Sequence, residues 1–180
     1  MRIYTRRGDD GTTGLFHGGR VAKNDTGPEA YGTVDEAVSQ LGVARSLADG
    51  EIAEAVLAVQ RELFVVAAEL ATDPAQRARL EPGISLVEAS MVEGLERRID
   101  RIEAEVGMPT EFVVPGGNPL AASIDVARTV VRRAERATVA HFAHDPESFV
   151  VPYLNRLADY LYMLARAVES EWTPTRGDAK

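Results

Sequence analysis

Residues 118–142 read NPLAASIDVARTVVRRAERATVAHF, and the spacing within this stretch decides the fold. Asn118 offers a side-chain acceptor at an N-cap position, and Pro119 stands where a helix has no use for an N–H, so a helix starts here. With about 100° of rotation per residue, Ile124, Ala127, Val131, Ala134 and Thr138 fall on one side. Asp125, Arg128, Arg132, Glu135 and Arg136 fall on another, at separations of three, four and seven. The period predicts one long amphipathic helix to about Phe142, whose apolar side must pack against other elements.

Those other elements read as helices too. Downstream, Asp145-Pro146 repeats the start signal and predicts a helix to about Ser170. Its Tyr153, Leu157, Tyr160, Leu161 and Leu164 are apolar, while Asn155, Asp159, Tyr162 and Arg166 make a polar stripe at i, i+4, i+7 and i+11. Upstream, helices are predicted over 29–48, stopped by Asp49-Gly50, and over 51–72, stopped by Asp73-Pro74. The second carries Ile52, Val56, Val59, Leu63, Val66 and Leu70 on one face. A further helix is predicted from Ser85, with Glu88 three residues on as a capping box, to Gly107. Its apolar stripe is Val87, Met91, Leu95, Ile99, Ile102 and Val106. Residues 111–114 read as extended, 73–84 as polar loop, and 173–180 as a frayed polar tail. The predicted fold is all-α: a five-helix antiparallel bundle over 28–172, preceded by an irregular arm over 1–27, in a single domain.

Composition removes whole classes of function. Among 180 residues, 20 basic and 28 acidic side chains give a net charge of −8, which opposes non-specific binding to nucleic acid. With no cysteine there is no disulfide scaffold, thiolate zinc site, iron–sulfur cluster or cysteine nucleophile. No apolar run reaches the roughly 20 residues of a membrane span, and the N-terminus shows no secretory h-region. The expectation is a soluble, cytoplasmic protein. No Glu is followed by His three residues later, so a di-iron bundle site lacks its ligands. His141 and His144 with Asp145 sit at a helix end without a further ligand nearby.

Two features could hold an anion. Arg132, Arg133 and Arg136 concentrate cations in an acidic chain, and guanidinium groups suit phosphate; a solvated face laced by Asp–Arg and Arg–Glu pairs explains the same residues. The polar stripes of the last two helices could also face one shared site. In the arm, residues 5–19 place glycines among Thr12 and Thr13, so backbone N–H groups could converge on an anion, with Lys23 as a nearby point charge. A flexible arm accounts for the glycines equally well. The stretch is neither a Walker A loop nor a dinucleotide fingerprint.

Three segments together are more specific. They are Thr5-Arg6-Arg7-Gly8-Asp9-Asp10-Gly11-Thr12-Thr13 with residues 20–23 and 29–36; Phe112-Val113-Val114-Pro115-Gly116-Gly117 running into Ala127-Arg128-Thr129-Val130-Val131-Arg132-Arg133-Ala134-Glu135-Arg136; and residues 153–161. In order and spacing over roughly residues 3–170, the chain resembles the PduO-type ATP:cob(I)alamin adenosyltransferases. The resemblance implies a homotrimer with active sites between subunits, ATP as co-substrate, Mg²⁺, and reduced cobalamin as the acceptor. It implies that Thr5, Gly8, Asp9, Gly11, Thr12, Thr13 and Lys23 hold the triphosphate. Arg128, Arg132, Glu135 and Asn155 of a neighbouring subunit complete the ATP site, with Glu135 acting through Mg²⁺ or ribose. Asp35 pairs with Arg128 across the interface, and Phe112 lines the corrinoid pocket and excludes the lower axial ligand. A reductase and an adenosylcobalamin-dependent mutase are the implied partners. The chain departs from the family's usual residues at Asp125, where His is usual, and at Val38, where Asn is usual. A non-catalytic ATP- or cobalamin-binding sensor would use the same residues.

Overall fold

The computed structural model describes residues 3–142 and 147–176. Five α-helices follow a short hairpin: α1 (Thr26–Ser46), α2 (Gly50–Leu70), α3 (Ala89–Val106), α4 (Pro119–Phe142) and α5 (Val150–Ala167). They pack in the order α2–α1–α4–α5–α3. The start of α1 meets the end of α4, where Thr26 Oγ1 lies 3.2 Å from His141 Nδ1, so these two helices are antiparallel. Glu62 of α2 closes the far side: it accepts from Arg98 of α3 at 2.8 Å and from the buried Tyr153 hydroxyl of α5 at 2.7 Å.

The predicted apolar faces of α2, α4 and α5 supply the core, while on α3 Leu95 alone is buried and Val106 of its predicted stripe is exposed. Ile124, Ala127, Val131, Ala134 and Thr138 of α4 are fully buried, as are Tyr153, Leu157 and Leu161 of α5. Asn118 caps α4 as its sequence suggests, its Oδ1 accepting from the Ala121 N–H at 2.9 Å. No described helix is long and apolar enough to cross a membrane.

Several boundaries differ from the sequence reading, each for a local reason. The Ser85–Glu88 capping box does not form. Ser85 Oγ instead accepts from the Glu81 N–H at 2.9 Å in a turn made possible by Gly83 at φ 71°, and α3 begins at Ala89. The stretch 73–84 holds a 3-10 helix (Pro74–Arg79), started by Asp73 Oδ1 accepting from the Ala75 N–H. The arm is not wholly irregular: β1 (Thr12–Gly14) and β2 (Arg20–Ala22) pair antiparallel, with Gly18 and Gly19 at positive φ in the turn. Nor is the tail frayed from Thr173. The Val114 N–H donates to the Thr173 carbonyl and the Thr175 N–H to the Phe112 carbonyl, both at 2.8 Å. The Asp145-Pro146 start signal, with His144, lies outside the described residues; α5 begins at Val150, whose N–H donates to Ser148 Oγ.

His141 ties three helix ends together, and this gives a pH dependence. Its half-buried ring touches α1 and hydrogen-bonds the Leu70 carbonyl at the end of α2; burial outweighs that bond and lowers its pKa. Adding a Cβ at the buried Gly27 would bring it 3.0 Å from the ring, so the packing is tight. The unfolded chain therefore takes up the proton first. The contribution is complete above histidine's ordinary pKa and is lost as pH falls through the lowered folded value. Denaturant unfolding followed against pH should show stability falling below about pH 6, and His141→Asn should flatten that fall.

Candidate functional site

The arm presents backbone donors and cations. Gly8 and Lys23 are brought together: a Cβ at Gly8 would stand 3.3 Å from Lys23 Nζ, so glycine leaves room for the ammonium beside the backbone. The Lys23 N–H donates to the Gly11 carbonyl at 2.9 Å, and Gly11 takes φ 83°. Asp10 fixes this turn by accepting from the Thr12 N–H at 2.9 Å and the Thr12 hydroxyl at 2.8 Å, which hold its carboxyl below the usual range. Arg20 Nε then donates to Thr12 Oγ1 at 3.0 Å, and its Nη2 to the Arg7 carbonyl at 2.6 Å. Thr12's hydroxyl is thus committed within the arm, while Thr5, Asp9 and Lys23 remain exposed and Thr13 is half-buried. The sequence reading missed the Asp10–Thr12–Arg20 clasp, although Asp two residues before Thr is a known local acceptor pattern.

A second surface lies on α4 and α5. Arg128, Arg132, Ala158, Asp159 and Tyr162 form the wall of a cleft of about 730 Å³, with Phe112 and Met108 at its lip. That volume suits a small-molecule ligand. Phe112 is 84% exposed and Met108 57%, an apolar edge facing solvent. Arg132 makes no side-chain ion pair or hydrogen bond among the described residues, so its charge is free for a ligand. Asn155 Nδ2 donates to Glu135 Oε1 at 3.0 Å, which brings those two predicted residues together. Arg133 is used elsewhere, paired with Glu36 of α1.

Arg128 is held from behind. Its Nε donates to Asp125 Oδ1 at 2.8 Å, while Arg166 Nη2 donates to Asp125 Oδ2 at 2.7 Å. The i,i+3 pair is the one the spacing predicted, but its Asp125 end is not solvated: Asp125 is 4% exposed, and Arg166 of α5, which packs on it, 1%. Arg166 Nε also donates to Glu169 Oε2 at 2.7 Å, and Glu169 Oε1 accepts from the Gly117 N–H at 3.1 Å. Burial disfavours the charged Arg166 guanidinium, yet Asp125 and Glu169 more than offset it and its pKa lies above the arginine norm. Arg128 and Arg166 both stand over the Tyr162 ring. Glu169 was not anticipated, though its i,i+3 spacing from Arg166 is a readable pair signal.

Asp35 is exposed on α1, and Arg128's partner within the chain is Asp125. No hydrogen bond joins the arm residues to Arg128, Arg132, Glu135 or Asn155 among the described residues. Nor does any group of three or more metal-ligating side chains occur there.

An all-α bundle with a glycine-shaped arm and an arginine-walled, apolar-lipped cleft is a small-molecule-binding protein outside the P-loop and Rossmann classes. A sequence model described as cobalamin adenosyltransferase matches residues 3–168, and the chain belongs to that family. It is 44% identical over 171 residues to a corrinoid adenosyltransferase of Citrobacter freundii, covering 94% of this chain and 96% of that protein. A corrinoid adenosyltransferase of Mycobacterium bovis is 41% identical over 182 residues, with 96% and 93% covered. Among solved structures, a phenylalanine-to-alanine variant of the PduO-type ATP:corrinoid adenosyltransferase from Lactobacillus reuteri, complexed with cobalamin and ATP, superposes with a TM-score of 0.85 at 32% identity, covering 98% of this chain and all of that one. The phenylalanine-to-histidine variant, with the same ligands, gives 0.82 at 34% identity, with 92% and 90% covered.

Proposed function

We infer that this protein transfers the 5′-deoxyadenosyl group of ATP to the cobalt of a reduced corrinoid, giving the adenosylcorrinoid and triphosphate. Family membership supports the reaction, and the observation that carries it onto these residues is the cleft: Arg132, unpaired among the described residues, and the outward end of Arg128 stand in one wall, with Phe112 at the lip. Cobalt(I) is itself the nucleophile. Its electron pair forms the Co–C5′ bond as the C5′–O bond breaks, and the electron pair of the C5′–O bond leaves on the triphosphate oxygen. The protein therefore needs no general base. It has to align C5′ with cobalt and stabilise charge on the departing phosphates, which arginine, lysine and backbone N–H groups do.

In this reading Thr5, Gly8, Asp9, Gly11, Thr12, Thr13 and Lys23 hold phosphate, with Thr12 acting through the turn it fixes. Arg128, Arg132, Glu135 and Asn155 complete the nucleotide site, and Phe112 lines the corrinoid side. Among the described residues, the arm and the α4–α5 wall share no hydrogen bond within one chain. A homotrimer in which the arm of one subunit meets the wall of the next, with Asp35 against Arg128 across the interface, completes the site. A lone carboxylate such as Glu135 fits Mg²⁺, which takes one or two protein oxygens and fills its shell with water and phosphate. Bound there, Mg²⁺ supplies positive charge to the triphosphate. A cytoplasmic setting, a reductase that delivers the electron to cobalt(II) and a mutase that consumes the product complete the proposal.

The test mixes protein, Mg-ATP and chemically reduced cobalamin and follows the corrinoid spectrum. The expected result is catalytic formation of the cobalt–carbon bond with one triphosphate per turnover. Saturable binding of both ligands without that bond overturns the reading in favour of a sensor.

A further inference from the structure

Arg128 and the loop carrying Phe112 both line the cleft, and one chain of ion pairs and a hydrogen bond, buried at its middle, joins them. It runs from the Gly117 N–H through Glu169, Arg166 and Asp125 to Arg128. Each carboxylate spends one oxygen on each neighbour, so neither can move without releasing a partner. Arg166, Asp125 and Glu169 side chains are 0%, 5% and 2% exposed, so no water replaces a lost contact among these three. The charges balance, two cations against two anions. Arg128 engages Asp125 through Nε, which leaves its two terminal nitrogens for the cleft. At the other end, a Cβ on Gly117 would lie 2.7 Å from Glu169 Oε1. Only glycine lets the loop sit against the carboxylate. Asn118 fixes the same corner, its Nδ2 donating to the Val168 carbonyl at 2.7 Å.

We propose that Asp125, Arg166 and Glu169 are positioning residues that set Arg128 and the Phe112 loop together, so that the nucleotide and corrinoid sides of the cleft are coupled through one buried ionic chain. The proposal rests on the adenosyl-transfer reading for what the two sides bind. The coupling itself is a property of the chain. A perturbation at the loop end should reach the Arg128 end, which a purely local role for each residue does not allow.

The decisive variant is Gly117→Ala, which touches the chain at its loop end, far from Arg128. Glu169→Gln and Asp125→Asn are its companions if one of the three fails to fold. Each is compared with wild type for ATP affinity by calorimetry, for turnover from cobalt(I) and from cobalt(II), and for melting temperature. Gly117→Ala is expected to weaken ATP binding at least about threefold and to lower turnover from cobalt(II) at least about tenfold. Asp125→Asn added to Arg128→Ala should weaken ATP binding no further than Arg128→Ala alone, the signature of residues acting through one contact. An ATP affinity at the wild-type level in a folded Gly117→Ala or Glu169→Gln protein overturns the proposal, as does full additivity of Asp125→Asn with Arg128→Ala. Calorimetry needs no turnover. A wild-type protein that binds ATP but never forms the cobalt–carbon bond therefore defeats the adenosyl-transfer reading while leaving the coupling to be judged by the ATP affinities.

Discussion

Arg132→Ala lowers kcat/KM at least about tenfold, or about 1.4 kcal/mol, with the melting temperature unchanged. Both halves of this expectation come from where the side chain sits. Arg132 lies in the cleft wall on the exposed side of α4 and has no ion pair among the described residues, so the fold loses nothing when it is shortened. In the proposed site the triphosphate loses a charge-assisted contact that strengthens as charge builds on the leaving oxygen. Arg132→Lys should recover only part of the loss, because an ammonium is a point charge without the planar fork. Steady-state kinetics from cobalt(I) checks this. A near-normal Arg132→Ala enzyme would remove the α4 stripe from the phosphate site.

Phe112→Ala should impair turnover that starts from cobalt(II) more than about tenfold beyond its effect on turnover from pre-reduced cobalt(I). The ring is 84% exposed, so truncating it opens no cavity. Its backbone partners, the carbonyl held by the Thr175 N–H and the neighbouring Val114–Thr173 bond, do not involve the ring. With Phe112 on the corrinoid side as proposed, what disappears is an apolar face that offers cobalt no donor atom. A lower axial ligand pushes electron density onto the metal and opposes reduction; with alanine, water or the corrinoid's own base can return to that position. Equal losses in the two assays would show that Phe112 only shapes the pocket.

The sequence carried the bundle because helical period and caps are local. Asn118-Pro119 and the α4 stripe contain all that is needed to place that helix, and the structure starts it at Pro119. What was not legible is what covers each face. The rotation that groups Asp125 with Arg128 and Arg132 gives no hint that Arg166, 41 residues on, buries the first and leaves the third in solvent. The same limit hid the pairing of Phe112–Val114 with Thr173–Thr175, since short extended segments find partners through tertiary proximity rather than period. Ser85 failed as a cap because two acceptor geometries competed, and the Gly83 turn won. The cleft's chemistry was better marked than its construction: Arg132 stood out by its charge and Arg128 and Phe112 through the family resemblance, whereas Glu169, which builds the place they occupy, did not stand out.

The burial of Arg166 also divides the protein's response to its medium. Its ion pairs lie where counterions do not reach, whereas Lys23 and Arg132 stand in solvent, where salt screens their field over about 8–10 Å at ordinary ionic strength. Under the phosphate assignment proposed above, added salt weakens the attraction between those exposed cations and an incoming triphosphate, and leaves the buried ion pairs as they were. Sensitivity to ionic strength is thereby concentrated in capture of the nucleotide, while the geometry that receives it stays fixed. In a chain of net charge −8, that separation lets a few local cations attract an anion that the molecule as a whole repels.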